Sequence, residues 1–152
     1  MSDISDREYM LRALEMANKA YALEEVPVGA LIVKDGDVIV EACNLRENTL
    51  SPVAHAEILA IQGAAEKLHN WRITDTTLYV TKEPCIMCCG AILNARIKRV
   101  VFGCSDEKGG GAKSLYSLLN DKRLNHRVDV VSGVCEEECA ELLKRFFREK
   151  RV

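Results

Sequence analysis

Thr77-Leu78-Tyr79-Val80-Thr81-Lys82-Glu83-Pro84-Cys85-Ile86-Met87-Cys88 joins an apolar run, a proline stop and two cysteines three positions apart. Thr77 to Thr81 reads as a short buried strand, Glu83-Pro84 ends it, and a helix runs from about Cys85 to Ala95. Downstream, Arg99-Val100-Val101-Phe102-Gly103 is a second strand, and Val128-Asp129-Val130-Val131 is the last. Upstream, Val28 to Val33 and Val38-Ile39-Val40 flank Asp35-Gly36, the signal of a β-hairpin. Apolar residues Met10, Leu11, Ala13, Leu14, Ala17, Ala20 and Tyr21 recur at helical spacing within an opening helix over residues 6–24. A polar loop over residues 44–53 leads into a helix from about Ala54 to Leu68. Gly109-Gly110-Gly111 marks a flexible loop before a short helix around Ser114 to Leu119, and residues 135–150 form the closing helix. Five strands and five or six helices in this order predict an α/β fold. The expected form is a three-layer α/β/α sandwich around a five-stranded mixed sheet. No repeat, linker or low-complexity tract divides residues 1–152, so one domain is expected.

Bulk properties narrow the class. At 152 residues and 48% apolar the chain can bury a full core, and 29% charged residues with a net charge of −2 describe an ordinary soluble protein. That charge does not by itself announce nucleic acid as a partner, so any such surface has to be local. No apolar run approaches the roughly 20 residues that span a bilayer. The first residues, Met-Ser-Asp-Ile-Ser-Asp-Arg-Glu, are acidic and polar where a secretory signal is basic and then apolar. Seven cysteines, an odd number, then fit metal-bound and free thiols in a reducing cytoplasm better than a disulfide framework.

The chemistry is concentrated in two short motifs. His55 and Glu57 stand in Ala-His-Ala-Glu, and Cys85 and Cys88 in Pro-Cys-Ile-Met-Cys. One imidazole and two thiolates can hold zinc on three sides and leave the fourth tetrahedral position open, as catalytic sites do. Each motif follows a proline and opens a helix, where unpaired amides and the helix dipole favour thiolates. His55 and Glu57 are two positions apart and do not share a face of a regular helix, so His55 has to lie at the helix edge. Glu57 is placed to take a proton from a zinc-activated water and return it to a leaving amine, serving as base and then acid. A closed structural site, with Cys89, Cys43 or Cys104 as fourth ligand, is the bland alternative, and it leaves Glu57 without a task. On spacing alone Cys85 could also pair with Cys89, at i and i+4.

His-x-Glu followed by Pro-Cys-x-x-Cys is the signature of zinc-dependent nucleobase deaminases. Further blocks sharpen the likeness: Glu25-Val26-Pro27-Val28-Gly29-Ala30, Ala54-His55-Ala56-Glu57-Ile58, Thr77 to Thr81, Glu83 to Cys88, Arg99 to Gly103, and Asn125-His126-Arg127-Val128. With the Phe146-Phe147-Arg148 tail, they resemble the bacterial tRNA adenosine deaminases of the cytidine deaminase-like superfamily, from about residue 7 to residue 151. The resemblance implies hydrolytic conversion of adenosine to inosine at the wobble position of a tRNA anticodon, by a homodimer. It implies one zinc ion per chain on His55, Cys85 and Cys88, with Cys89 left to packing, and proton transfer by Glu57. By the same likeness Asn44 hydrogen-bonds the flipped base, and Asp106 and Lys108 lie in a loop along the RNA. The chain departs from the family pattern at Cys89, where alanine is usual, and in the glycine-rich Gly109-Gly110-Gly111.

Basic groups suit an RNA partner: Lys144, Arg145, Arg148, Lys150 and Arg151; Lys122, Arg123 and Arg127; Arg96, Lys98 and Arg99. Each has a plainer reading, as a solvated face or a helix-dipole complement. Phe146 and Phe147, in register with Leu142, Leu143 and Cys139, are expected in the core. Asn44 reads equally as a turn residue, and His69 and His126 as surface or hydrogen-bonding histidines. Two other functions remain on the residues alone: zinc-dependent deamination of a free base or nucleoside, and a non-catalytic zinc-stabilised RNA-binding module.

Overall fold

The computed structural model describes residues 3–150. In chain order the elements are α1 (Asp3–Ala22), β1 (Gly29–Lys34), β2 (Asp37–Cys43), α2 (Ala56–Leu68), β3 (Thr76–Lys82), α3 (Ile86–Ala95), β4 (Arg99–Cys104), β5 (Asp129–Ser132) and α4 (Glu136–Lys150), with a 3-10 turn over Leu118–Asn120. The sheet order is β2-β1-β3-β4-β5. β1 pairs antiparallel with β2 and β3, whereas β3, β4 and β5 run parallel. This is the mixed five-stranded sheet that the strand and helix sequence predicts. Asp35 and Gly36 both take positive φ, 52° and 80°, and close the β1–β2 hairpin in two residues, the conformation that favours Asp-Gly.

Alternation along the central strands divides the interior in two. Ala30, Ile32, Leu78, Val80, Val100 and Phe102 face α2 and α3, packing on Ala56, Ala60, Ala64 and Ile92. Leu31, Val33, Tyr79 and Val101 face the other way, against Met10, Ala13 and Ala17 of α1 and Cys139 and Leu142 of α4. β1, β3 and β4 are therefore apolar on both faces, as strands covered by helices on each side must be. α1 lies so close to the sheet that a side chain on Gly29 would collide with the Ala13 carbonyl and the Ala17 amide.

Among the described residues, four α-helices and one 3-10 turn replace the expected five or six helices. The helix expected around Ser114 to Leu119 does not form, because the amides of Lys113 and Ser114 donate to the Glu83 carboxylate instead of entering a helical ladder. Gly109-Gly110-Gly111 is no flexible loop either: Gly110 pairs with Cys85, and the Gly111 amide donates to the Pro84 carbonyl at 2.8 Å.

Arg99, expected in a basic surface patch, is half-buried and spends its charge on the interior acid Asp6. Its guanidinium makes two hydrogen bonds to Asp6, at 2.9 and 2.6 Å, and Tyr79 donates its hydroxyl to the same carboxylate at 2.6 Å. The cluster ties α1 to β3 and β4, and the Arg99 hydrogen bonds hold the Asp6 carboxyl below its ordinary value of 3.8. A lowered folded-state pKa stabilises the fold above the unfolded value, and that contribution fades as pH falls towards the folded one. The difference in unfolding free energy between the native chain and Asp6→Asn, measured by urea denaturation, is therefore expected to be largest above about pH 5 and to shrink steadily towards pH 3. A difference independent of pH would remove the ionised carboxylate from the account.

Candidate active site and metal centre

The end of β2, the start of β1 and the ends of β3 and β4 meet at one edge of the sheet, where α2 and α3 begin. Open α/β sheets bind ligands outside the carboxyl ends of their parallel strands, and this edge is such a place. His55 and Cys85 are the N-caps of α2 and α3, both with extended backbone (φ −71°, ψ 153° and φ −77°, ψ 178°). An N-cap is only half in its helix, so its side chain can turn across to the neighbouring one. The His55 ring leaves the α2 face as its position at the helix edge requires, while Glu57, in the first turn and only 4% exposed, points inward.

His55 Nδ1 lies 3.7 Å from Cys85 Sγ and 3.5 Å from Cys88 Sγ. A tetrahedral ion with bonds of roughly 2.0 Å to nitrogen and 2.3 Å to sulfur separates such ligand atoms by about 3.5 Å, so the three side chains fit a zinc-sized ion. All three ligand atoms fall within 4.8 Å of one another, and no further cysteine, histidine or acid joins them among the described residues. Cys89, the spacing alternative, points away: it is buried, its Sγ faces the Pro84 carbonyl at 3.7 Å, and burial pushes its thiol up to about 12. Cys43 and Cys104 are buried at strand ends and also stay outside the group.

The charges at the cluster are arranged for a cation. The hydrogen bond from Cys88, followed by that with the His55 ring, brings Cys85 down to about 4 against the opposing effect of burial. Cys88 is shifted upward, first by its hydrogen bond with Cys85 and then by burial. Glu57 is raised to about 6 by burial, which suits a group that gains and loses a proton near neutrality.

A cavity of about 300 Å³ opens over the cluster, with His55, Glu57 and Cys85 in its floor. Asn44 and Asp106 line it; Lys108 does not, and is exposed on the loop beyond. The Asn44 amide donates to the Val26 carbonyl at 3.2 Å and accepts from the Arg46 amide at 3.3 Å. The turn reading of Asn44 therefore holds, and the same turn sets it in the cavity wall. Asp106 pairs with Lys82 at 3.2 Å and caps the Lys108 and Gly109 amides, each at 3.1 Å.

Three expectations about surrounding residues are corrected or completed. Phe146 is buried, but Phe147 is 44% exposed and lines the cavity mouth instead of the core. Arg148 bonds Glu141 at 3.0 Å, Arg145 lies over the Tyr21 ring, and Arg123 is paired with Asp121, so much of the basic charge is already partnered; Arg151 lies outside the described residues. His126 hydrogen-bonds the Ile97 carbonyl and His69 caps α2 in a left-handed conformation (φ 53°), both structural roles. Arg46, Lys82 and Glu83 also line the cavity, and the sequence reading had not singled them out for it. An acid placed directly before Pro-Cys at the end of a buried strand was the available signal for Glu83.

Comparison with known proteins agrees with this geometry. A family model described as MafB19-like deaminase matches residues 4–151. The chain is similar to the tRNA-specific adenosine deaminase of Bacillus subtilis (strain 168), at 49% identity over 96% of this chain and 91% of that one. It is similar to its counterpart in Streptococcus pyogenes serotype M18, at 48% identity over 94% and 90%. A solved structure from work on A-to-I editing by tRNA:A34 deaminases at the wobble position of transfer RNA superposes with a TM-score of 0.86. Its identity is 41%, over 89% of this chain and 98% of that one.

Metal analysis after dialysis should find a single tightly held ion in the native chain and in Cys89→Ala. Cys85→Ser and Cys88→Ser should each lose it. Retention in Cys88→Ser together with loss in Cys89→Ala would reverse the ligand assignment.

Proposed function

The chain belongs to the tRNA-specific adenosine deaminases, and from that membership we propose that it hydrolyses adenosine to inosine at the wobble position of a tRNA anticodon. The observation that carries this reading is the convergence of His55, Cys85 and Cys88 beside the buried Glu57, in a chain nearly half identical to such enzymes.

His55 Nδ1 and the Cys85 and Cys88 sulfurs would hold one zinc ion per chain. Zinc bound there supplies the Lewis acidity that makes water a nucleophile near neutral pH. Glu57 takes one proton from the attacking water and passes it to a ring nitrogen, then takes the second from the new C6 hydroxyl and delivers it to the departing amino group. The C6–N6 bond breaks, a C6–O bond replaces it, and ammonia leaves.

Asn44 spends one lone pair and one N–H on the backbone, which leaves one of each for the edge of a base in the cavity. Phe147 offers an exposed ring at the mouth, where an unpaired neighbouring base can stack. Asp106 borders the cavity, and Lys108, exposed farther out, suits a phosphate. An unpaired anticodon loop fits this geometry, because its bases reach a recessed pocket at little cost in pairing.

The working unit is a homodimer of 152-residue catalytic domains acting in the cytoplasm. A mixed surface groove, in which exposed Ile86 and Leu124 and half-buried Leu93 and Leu118 lie beside Asn94, Arg96, Asn125 and His126, supports the pairing of two copies. Among the described residues no helix is long and apolar enough to cross a membrane.

Incubation with an anticodon stem–loop bearing adenosine at the wobble position should yield inosine on digestion. Glu57→Ala should lower that conversion by roughly two to four orders of magnitude while the metal stays bound. Deamination of free bases with the stem–loop untouched would contradict the substrate, and full turnover in Glu57→Ala would remove this carboxylate from the reaction.

A further inference from the structure

Glu83 is the second buried acid at the site, and its surroundings differ from those of Glu57. It is 2% exposed at the end of β3, next to Pro84 and two residues before the Cys85 ligand. Its Oε1 accepts the Asp106 amide at 3.0 Å together with the Ser114 hydroxyl, and its Oε2 accepts the Lys113 and Ser114 amides at 2.8 Å each. A carboxylate presents about four lone-pair positions, so Glu83 has none to spare for a proton in transit. All four donors come from one irregular loop, which leaves β4 at Cys104 and contributes Asp106 to the cavity wall.

The tip of that loop is held just as closely. Gly110 packs directly on the Glu83 carboxylate, where any Cβ would overlap its oxygens. Gly111 approaches the Cys85–Ile86 peptide, where a Cβ would come within 3.1 Å of the Ile86 nitrogen. Neither glycine has positive φ, so close approach and not turn geometry accounts for both. The loop's start, tip and return are thus gathered on Glu83-Pro84-Cys85, and Asp106 is left facing Lys82 in the cavity wall. Glu25 holds the opposite wall in the same way. It is 1% exposed and accepts the Glu47 amide at 3.0 Å and the Asn48 amide at 2.7 Å, beside the turn that places Asn44.

We propose that Glu83 is a positioning residue for RNA binding, whose buried carboxylate fixes the 105–114 loop as a preformed wall of the substrate cavity; this rests on the tRNA deaminase reading above. Loops of this length without regular structure are ordinarily the mobile part of a fold. Fixing the loop before the substrate arrives removes an ordering cost from binding. The wall is then rigid for a reason that lies in one side chain.

Glu83→Gln keeps the shape but turns an N–H₂ group towards backbone N–H donors. With the native anticodon stem–loop, KM should rise about tenfold or more as charge-assisted hydrogen bonds are lost. kcat should fall by less than about threefold, since Glu57 and the ligands are untouched. Bound metal should stay at one ion per chain. Glu83→Asp keeps the charge and should lie between the two. Gly110→Ala, which forces the loop off an unchanged Glu83, should reproduce the rise in KM. Hydrogen exchange at the amides of residues 106–114 should speed up in Glu83→Gln and Gly110→Ala, whatever the substrate. An unchanged KM with unchanged exchange, or equal losses of kcat and bound metal without a rise in KM, would overturn the proposal. A native protein that leaves the stem–loop untouched would sink the substrate reading instead. In that case loop exchange alone decides the part played by Glu83.

Discussion

Two helix starts facing each other across the end of the sheet are the constraint on which the rest of the molecule depends. An N-cap residue is freed from helical side-chain geometry, and here both N-caps, His55 and Cys85, use that freedom to aim at the same point. Cys88, one turn into α3, and Glu57, in the first turn of α2, then follow from helix geometry. The helices can meet in this way only because β1 runs antiparallel to β3 and brings its start alongside the end of β3. The Gly29 amide donates to the Thr81 hydroxyl at 3.1 Å at that junction. The small residues Ala56, Ala60 and Ala64 let α2 lie close on the sheet.

Around this point the polar side chains divide the labour. Burial leaves Glu57 with a raised pKa, and among the described residues no ion pair holds it. Burial also surrounds Glu83 and Glu25, but each gathers backbone donors that keep it ionised, and both are shifted downward despite their desolvation. The same residue type thus stands beside the His55, Cys85 and Cys88 cluster in one place and serves architecture in two others, and the difference lies in what donates to each. Buried polar groups of both kinds are satisfied: no buried side-chain nitrogen or oxygen lacks a partner among the described residues.

The elements and the cluster of His55, Cys85 and Cys88 were legible because they depend on short-range patterns. Asp35-Gly36 specifies its hairpin, the apolar runs specify five strands, and His-x-Glu and Pro-Cys-x-x-Cys each lie within a single helix start. What escaped the sequence depends on partners far along the chain. Arg99 reads as a surface cation until Asp6, 93 positions away, is folded against it. Gly109-Gly110-Gly111 reads as slack chain until the Glu83 carboxylate is seen to occupy the space that side chains would need. Phe146 and Phe147 share one periodic stripe, yet the first packs edge-on against Tyr21 and the second reaches the cavity, because the stripe is wider than the face that α4 buries. No local pattern distinguishes these cases.

X-ray absorption at the zinc K edge of the purified protein bears most directly on the central claim. The account predicts two sulfur ligands at about 2.3 Å and two nitrogen or oxygen ligands at about 2.0 Å, one of them imidazole and the other from solvent. A coordination sphere of three or four sulfurs would mean a closed structural ion, and the absence of bound zinc from active protein would leave the facing helix starts without the role given to them here.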